Sequence, residues 1–145
     1  MNDTYSLTVD RIIPGPIDEV FDAWLDPESL RQWMRPGGMV LADVATNPVV
    51  GGKFHLVMTS DTETHPHDGE YRQIDRPHRL VFTWKSGPAG DTLVTITFTR
   101  ISDRKTKVTL THERFSSESA RDGHERGWGS ILEKLEQNME VQSWR

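Results

Sequence analysis

Hydrophobic and polar positions along the chain predict a strand, two short helices, a run of strands and one long helix. Tyr5 to Ile13 alternates around Leu7 and Val9, the period of a half-buried strand, and "PGP" stops it. Pro16 suits a first helical turn, and Ile17, Val20, Phe21 and Trp24 then recur at helical spacing. In "DPESLRQWM", Asp26 reads as an N-cap with Pro27 at the first helical position. Strands follow over Met39 to Thr46, over Gly51 to Met58 with Phe54, Leu56 and Met58 on one face, and over Asp68 to Asp75. After a turn at "RPHR", Leu80, Phe82 and Trp84 share one face. After "GPAGD", Val94, Ile96 and Phe98 do so against threonines. After "DRKT", Val108, Leu110 and His112 continue the alternation. Turn signals about 8 to 12 residues apart predict an antiparallel meander.

From about Ser117 to Val141 the period changes to that of a helix, ~37 Å long at 1.5 Å per residue. Trp128, Ile131, Leu132, Leu135 and Met139 form its apolar stripe. Arg126, Glu133, Glu136, Gln137 and Glu140 lie on the other side. A sheet with one apolar face needs a cover, and this helix is the element long enough to supply it. Gly123, Gly127 and Gly129 stand out here, since each helical glycine costs ~1 kcal/mol relative to alanine. Gly127 lies at the edge of the inner stripe. It reads as a point of close approach, where the helix can sit down on the sheet or on a ligand, with Trp128 projecting into the groove between helix and sheet or simply packing there. For Gly129 a bend following the curved sheet is one reading.

The 145 residues suit a single domain spanning 1–145. A net charge of -5 argues against nucleic-acid binding, which needs a basic face. No stretch approaches the ~18 apolar residues of a membrane span. The first ten residues lack the basic and apolar regions of a signal peptide. There is no cysteine, which excludes disulfides, thiolate metal sites and a cysteine nucleophile. A cytoplasmic location is the expectation that fits.

The order of elements resembles the helix-grip fold of the START-like, or SRPBCC, superfamily. The local motifs are similar to its branch named after the activator of the ninety-kilodalton heat-shock chaperone's ATPase. The stretches carrying the resemblance are "RIIPGPIDEVFDAWLDPESLRQW", "VVGGKFHLVM", "DGEYRQIDRPHRLVFTW", "TKVTLTHERF" and "HERGW", which cover nearly the whole chain in the family's order. Trp33-Met34 stands where many members carry paired tryptophans and keeps the bulk without the second ring.

The resemblance implies an α+β fold, with a curved antiparallel sheet wrapped around the long C-terminal helix and two short helices after the first strand. It also implies a cavity between sheet and helix, which elsewhere in the superfamily takes apolar molecules. Phe54, Leu56, Met58, Tyr71, Trp84, Ile96 and His112 are the expected lining from the sheet. His124, Trp128, Ile131 and Leu135 are the expected lining from the helix. Phe21, Trp24 and Trp33 are expected to close the open end by packing, or to act as a gate whose exposed remainder docks a partner or a second copy. The implied partners are a small apolar ligand or a chaperone-like protein.

Chemistry is sparse. His124 lies in line with Trp128, Ile131 and Leu135. It suits a ligand hydrogen bond or a general base, or else a ring satisfied by a strand carbonyl or a hydroxyl such as Tyr71. His112 can face the same space. Two histidines are no metal site without a third ligand. "HPHD", His65 to Asp68, has metal-binding composition but reads as a solvated turn before a strand. "GGKF" lacks P-loop spacing, and no GxSxG elbow occurs. Asp18 with Glu19, or Glu113 with Glu118, read as dipole-favoured surface acids rather than catalytic pairs. The expectation is a binding domain with no cofactor and no metal. Less favoured is an enzyme using a cavity histidine.

Overall fold

The computed structural model describes residues 4–86 and 90–142. Strand β1 (Tyr5–Pro14) leads to helices α1 (Ile17–Asp22) and α2 (Pro27–Trp33). Six strands follow: β2 (Val40–Thr46), β3 (Lys53–Thr59), β4 (Thr64–Asp75), β5 (Arg79–Ser86), β6 (Gly90–Ser102) and β7 (Lys105–Phe115). Helix α3 (Glu118–Gln142) ends the described chain. The strands form one antiparallel sheet in the order β1-β7-β6-β5-β4-β3-β2, so every neighbour is sequential except β1 beside β7. This is the expected helix-grip arrangement. The "GPAGD" turn falls partly on residues 87–89, outside the described residues.

Local signals act as read. Asp26 caps α2, its side chain accepting the Glu28 N–H at 3.1 Å, with Pro27 in the first turn. The alternating faces of β5, β6 and β7 bury Leu80, Phe82, Trp84, Val94, Ile96, Phe98, Val108, Leu110 and His112. Against them α3 buries Trp128, Ile131, Leu132, Leu135 and Met139.

Two expectations are corrected. β4 begins at Thr64, not Asp68, so "HPHD" is strand and not a solvated turn. A proline is tolerated there because, among the described residues, Pro66 pairs only with Val57 of β3, while β4 meets β5 from His67 onward. Alternation then turns His67 inward, where it is buried beside Trp84. Glu136 is half-buried rather than freely solvated: its carboxylate accepts from Arg11 Nε at 2.5 Å and ties α3 to β1. Farther along β4, Gly69 is required. A Cβ there would fall 2.1 Å from the Thr83 carbonyl oxygen and 2.2 Å from the Phe54 ring.

Candidate functional site

The helical glycines mark the site. Ala120, Gly123 and Gly127 follow at i, i+3 and i+7 on α3 and therefore share a face. On that face the side chains end at Cβ or before it, so space remains between helix and sheet. The result is a pocket of about 390 Å³, at the small end of the range for ligand sites. Its sheet wall is Met58, His65 and Trp84; its helix wall adds His124, Trp128 and Ile131 to the small residues. Pro36 closes one side. Its loop is latched to α3, since Lys134 Nζ donates to the Arg35 carbonyl at 2.8 Å and Gly37 N–H donates to Ser130 Oγ at 2.9 Å. Burial and the Arg35 charge lower the Lys134 pKa.

The reading of Gly127 as a close approach to the sheet is corrected here. A Cβ at Gly127 would meet only Pro36 Cβ, at an ordinary 3.8 Å, and one at Gly123 only the end of Arg126 at 4.0 Å. These glycines leave the pocket unfilled rather than bring backbones together. Around Gly129 a Cβ would meet nothing within 4 Å, and nothing in the structure explains a glycine there.

Behind the pocket wall runs a hydrogen-bonded relay. An indole N–H can only donate, so Trp128 Nε1, 2.9 Å from His112 Nδ1, finds a lone pair there. The His112 proton then sits on Nε2 and is donated to Thr92 Oγ1 at 2.6 Å, whose own O–H donates to the Trp84 carbonyl at 2.6 Å. His112 is thus neutral, fully satisfied and buried. Burial, followed by the neighbouring His124 and His67, pushes its pKa down to about 2. His124 has the opposite tautomer. Its Nδ1–H donates to the Ala120 carbonyl at 2.8 Å, leaving Nε2 as an acceptor facing Ser86 Oγ at a long 3.4 Å. Burial lowers the His124 pKa, partly offset by that carbonyl. His67 completes the group. Burial first and the His124 charge second push its pKa down to about 4, and its Nδ1 has no partner among the described residues.

Of the residues expected to line a cavity, Met58, Trp84, His124, Trp128 and Ile131 surround this pocket. Phe54, Leu56 and Tyr71 border instead a space of about 20 Å³, room for about one water. Burial raises the Tyr71 pKa to about 12, and Tyr71 does not bond His124. Ile96 and Leu135 are packed core, and His112 stands one layer behind Trp128. Phe21, Trp24 and Trp33 are buried as well. Trp24 packs edge-on to Trp33 at 4.7 Å, so these rings plug the sheet and leave no exposed remainder for docking. Pro36, Ala120 and Ser86 escaped the sequence reading, and Gly123 and His67, though noticed there, were not placed at a cavity. For His67 a signal existed: His65, His67 and Tyr71 alternate in phase.

A larger hollow of about 1060 Å³ lies by the C-terminal half of α3. Its wall carries Glu19, Asp22, Asp26, Glu28 and Asp103 with Arg104 and no aromatic ring, so the smaller apolar pocket is the candidate site. Among the described residues no group of three or more His, Asp or Glu is placed to hold a metal ion. No helix among them is long and apolar enough to cross a membrane.

A family model described as "Activator of Hsp90 ATPase homolog 1-like protein" matches residues 14–140. No curated protein matches the chain. Among solved structures, a Chromobacterium violaceum protein is 25% identical with a TM-score of 0.84, over 93% of this chain and 97% of its own. A Nitrosomonas europaea protein is 21% identical with a TM-score of 0.81, over 97% of both chains. A Staphylococcus aureus protein, described as of unknown function, is 14% identical with a TM-score of 0.83, over 99% of this chain and 98% of its own.

Proposed function

The chain belongs to the Activator of Hsp90 ATPase homolog 1-like protein family, and from that premise we propose that it is a non-enzymatic domain binding a small hydrophobic or amphipathic molecule. The observation carrying the reading is the pocket that Ala120, Gly123 and Gly127 leave between α3 and the sheet. Trp84, Trp128, Met58 and Ile131 give it apolar walls, while His124 and Ser117 supply a few polar groups, the usual make-up of a ligand site. Both ring nitrogens of His112 are engaged, by Trp128 and Thr92, and His124 Nδ1 is held by the Ala120 carbonyl, which supports binding over catalysis. The lack of cysteine supports a cytoplasmic setting.

Titration with fatty alcohols, flavonoids and polycyclic dyes tests this. Trp84 and Trp128 line the pocket, so binding should change tryptophan emission saturably. Gly127→Leu, which fills the space, should abolish the change while the melting temperature holds. An unchanged emission with every probe would overturn the small-molecule reading. A second reading follows from the family's description: a cochaperone-like protein that binds a chaperone partner. Its test is stimulation of a purified chaperone's ATPase by this chain, persisting in Gly127→Leu.

A further inference from the structure

Resting on the small-molecule reading of this pocket, we infer that its ligand is a neutral apolar molecule bearing a hydroxyl group, whose O–H donates to His124 Nε2, rather than a carboxylic acid. The tautomer carries the argument. The Ala120 carbonyl, 2.8 Å from Nδ1, takes the single proton of the neutral ring, so Nε2 presents a lone pair. Among the described residues that lone pair holds only the 3.4 Å contact from Ser86, well beyond the usual length of an O–H donor's bond. A ligand hydroxyl can therefore improve on it. A carboxylate cannot, because it only accepts.

Charge points the same way. Among the described residues, no Lys or Arg lines the pocket to hold an anion. Protonating His124 to create a cation would place charge in a half-buried site near two other histidines, with ring centroids of His124 and His112 5.2 Å apart. Burial already lowers the His124 pKa. The positive end of α3 offers little to an anion either. The Ala120 N–H is capped by Ser117 Oγ at 3.1 Å, and Glu118 adds a carboxylate in the first turn. The indoles of Trp84 and Trp128, tilted at 53° to one another with centroids 5.1 Å apart, give the pocket an aromatic lining that favours a hydrophobic body.

The experiment is calorimetric titration of the full chain near pH 7.5 with 2-naphthol, naphthalene and 2-naphthoate. The expected result is 2-naphthol binding about 2- to 12-fold tighter than naphthalene, the size of one net hydrogen bond, and 2-naphthoate weaker than either. His124→Leu should erase the gap between naphthol and naphthalene, the two affinities becoming equal whatever their common level. Ser86→Ala, which removes the competing hydroxyl, should preserve or widen that gap. Equal affinities for naphthol and naphthalene in the unaltered chain, tighter naphthoate, or a gap lost in Ser86→Ala but kept in His124→Leu would overturn the inference while the binding reading stood. No binding of any of the three would overturn both. Should His124→Leu fail to fold, the three affinities of the unaltered chain still decide. The nitrogen-15 spectrum of the imidazole should also show Nε2 unprotonated before and after naphthol is added, and a protonated Nε2 would overturn the inference.

Discussion

Helix α3 has two halves that meet the same sheet in different ways. The C-terminal half presents Leu132, Leu135 and Met139, all buried, and the hollow beside it is walled mainly by polar and acidic residues rather than by aromatic rings. The N-terminal half presents Ala120, Gly123 and Gly127 around a half-buried His124, and space remains. One continuous helix thus serves as cover at one end and as a pocket wall at the other. Helical spacing is the same in both halves; side-chain volume is what differs. The weak helix formers are tolerated because the packed half holds the helix down, since tertiary contacts supply most helical stability in proteins.

The contrast is broken most strongly at the packed half. Leu135 is 0% exposed, so Leu135→Ala should cost ~2–5 kcal/mol in urea unfolding, by lost transfer energy and the cavity left behind. A cost below ~1 kcal/mol there would mean that the two halves are packed alike.

Next comes acid. The pKa values of His67 and His112 are depressed, to about 4 and about 2, below the ordinary 6.5. The unfolded chain therefore takes up protons that the folded chain refuses. Their contribution is fully present above pH ~6.5. It is lost as pH falls, down to about 4 for His67 and about 2 for His112, at up to ~1.4 kcal/mol per pH unit for each. Unfolding followed from pH 7 to 4.5 should show this slope, and His67→Phe should flatten it. An unchanged slope in a folded His67→Phe would mean that His67 is not buried neutral.

A smaller effect, of opposite sign, is expected in the open half. Gly129→Ala meets no atom within 4 Å and should stabilise by up to ~1 kcal/mol through helix propensity. Ligand affinity should not change. Destabilisation would reveal a backbone role for this glycine. The smallest effect belongs to the Arg11–Glu136 pair, with side chains 40% and 34% exposed. Glu136→Ala should cost ~0–1 kcal/mol, and less at high salt, because exposed pairs are screened.

Much was legible in the sequence because it was local. Period-2 alternation placed Val94, Ile96, Leu110 and His112 on one buried face, and the 3.6 period placed Trp128, Ile131 and Leu135 opposite them. The reading failed where a local cue misled. Pro66 and two histidines looked like a turn, although register against β3 made them strand. Leu135 and Ile96 were expected at a cavity because they lie on the right face. Facing inward says only that a side chain is buried, not that space is left beside it.

The sequence by itself determined the elements, their order, their inward faces and the family resemblance, because each rests on spacing within a short stretch of chain. Only the tertiary structure decided where the pocket lies, which tautomer each histidine holds and which rings plug the fold. Those depend on atoms brought together from distant positions: Met58 and Trp84 against Gly127, Thr92 and Trp128 on either side of His112, Ser86 facing His124. A pocket is space that side-chain volumes fail to fill, and that space exists only once sheet and helix have met.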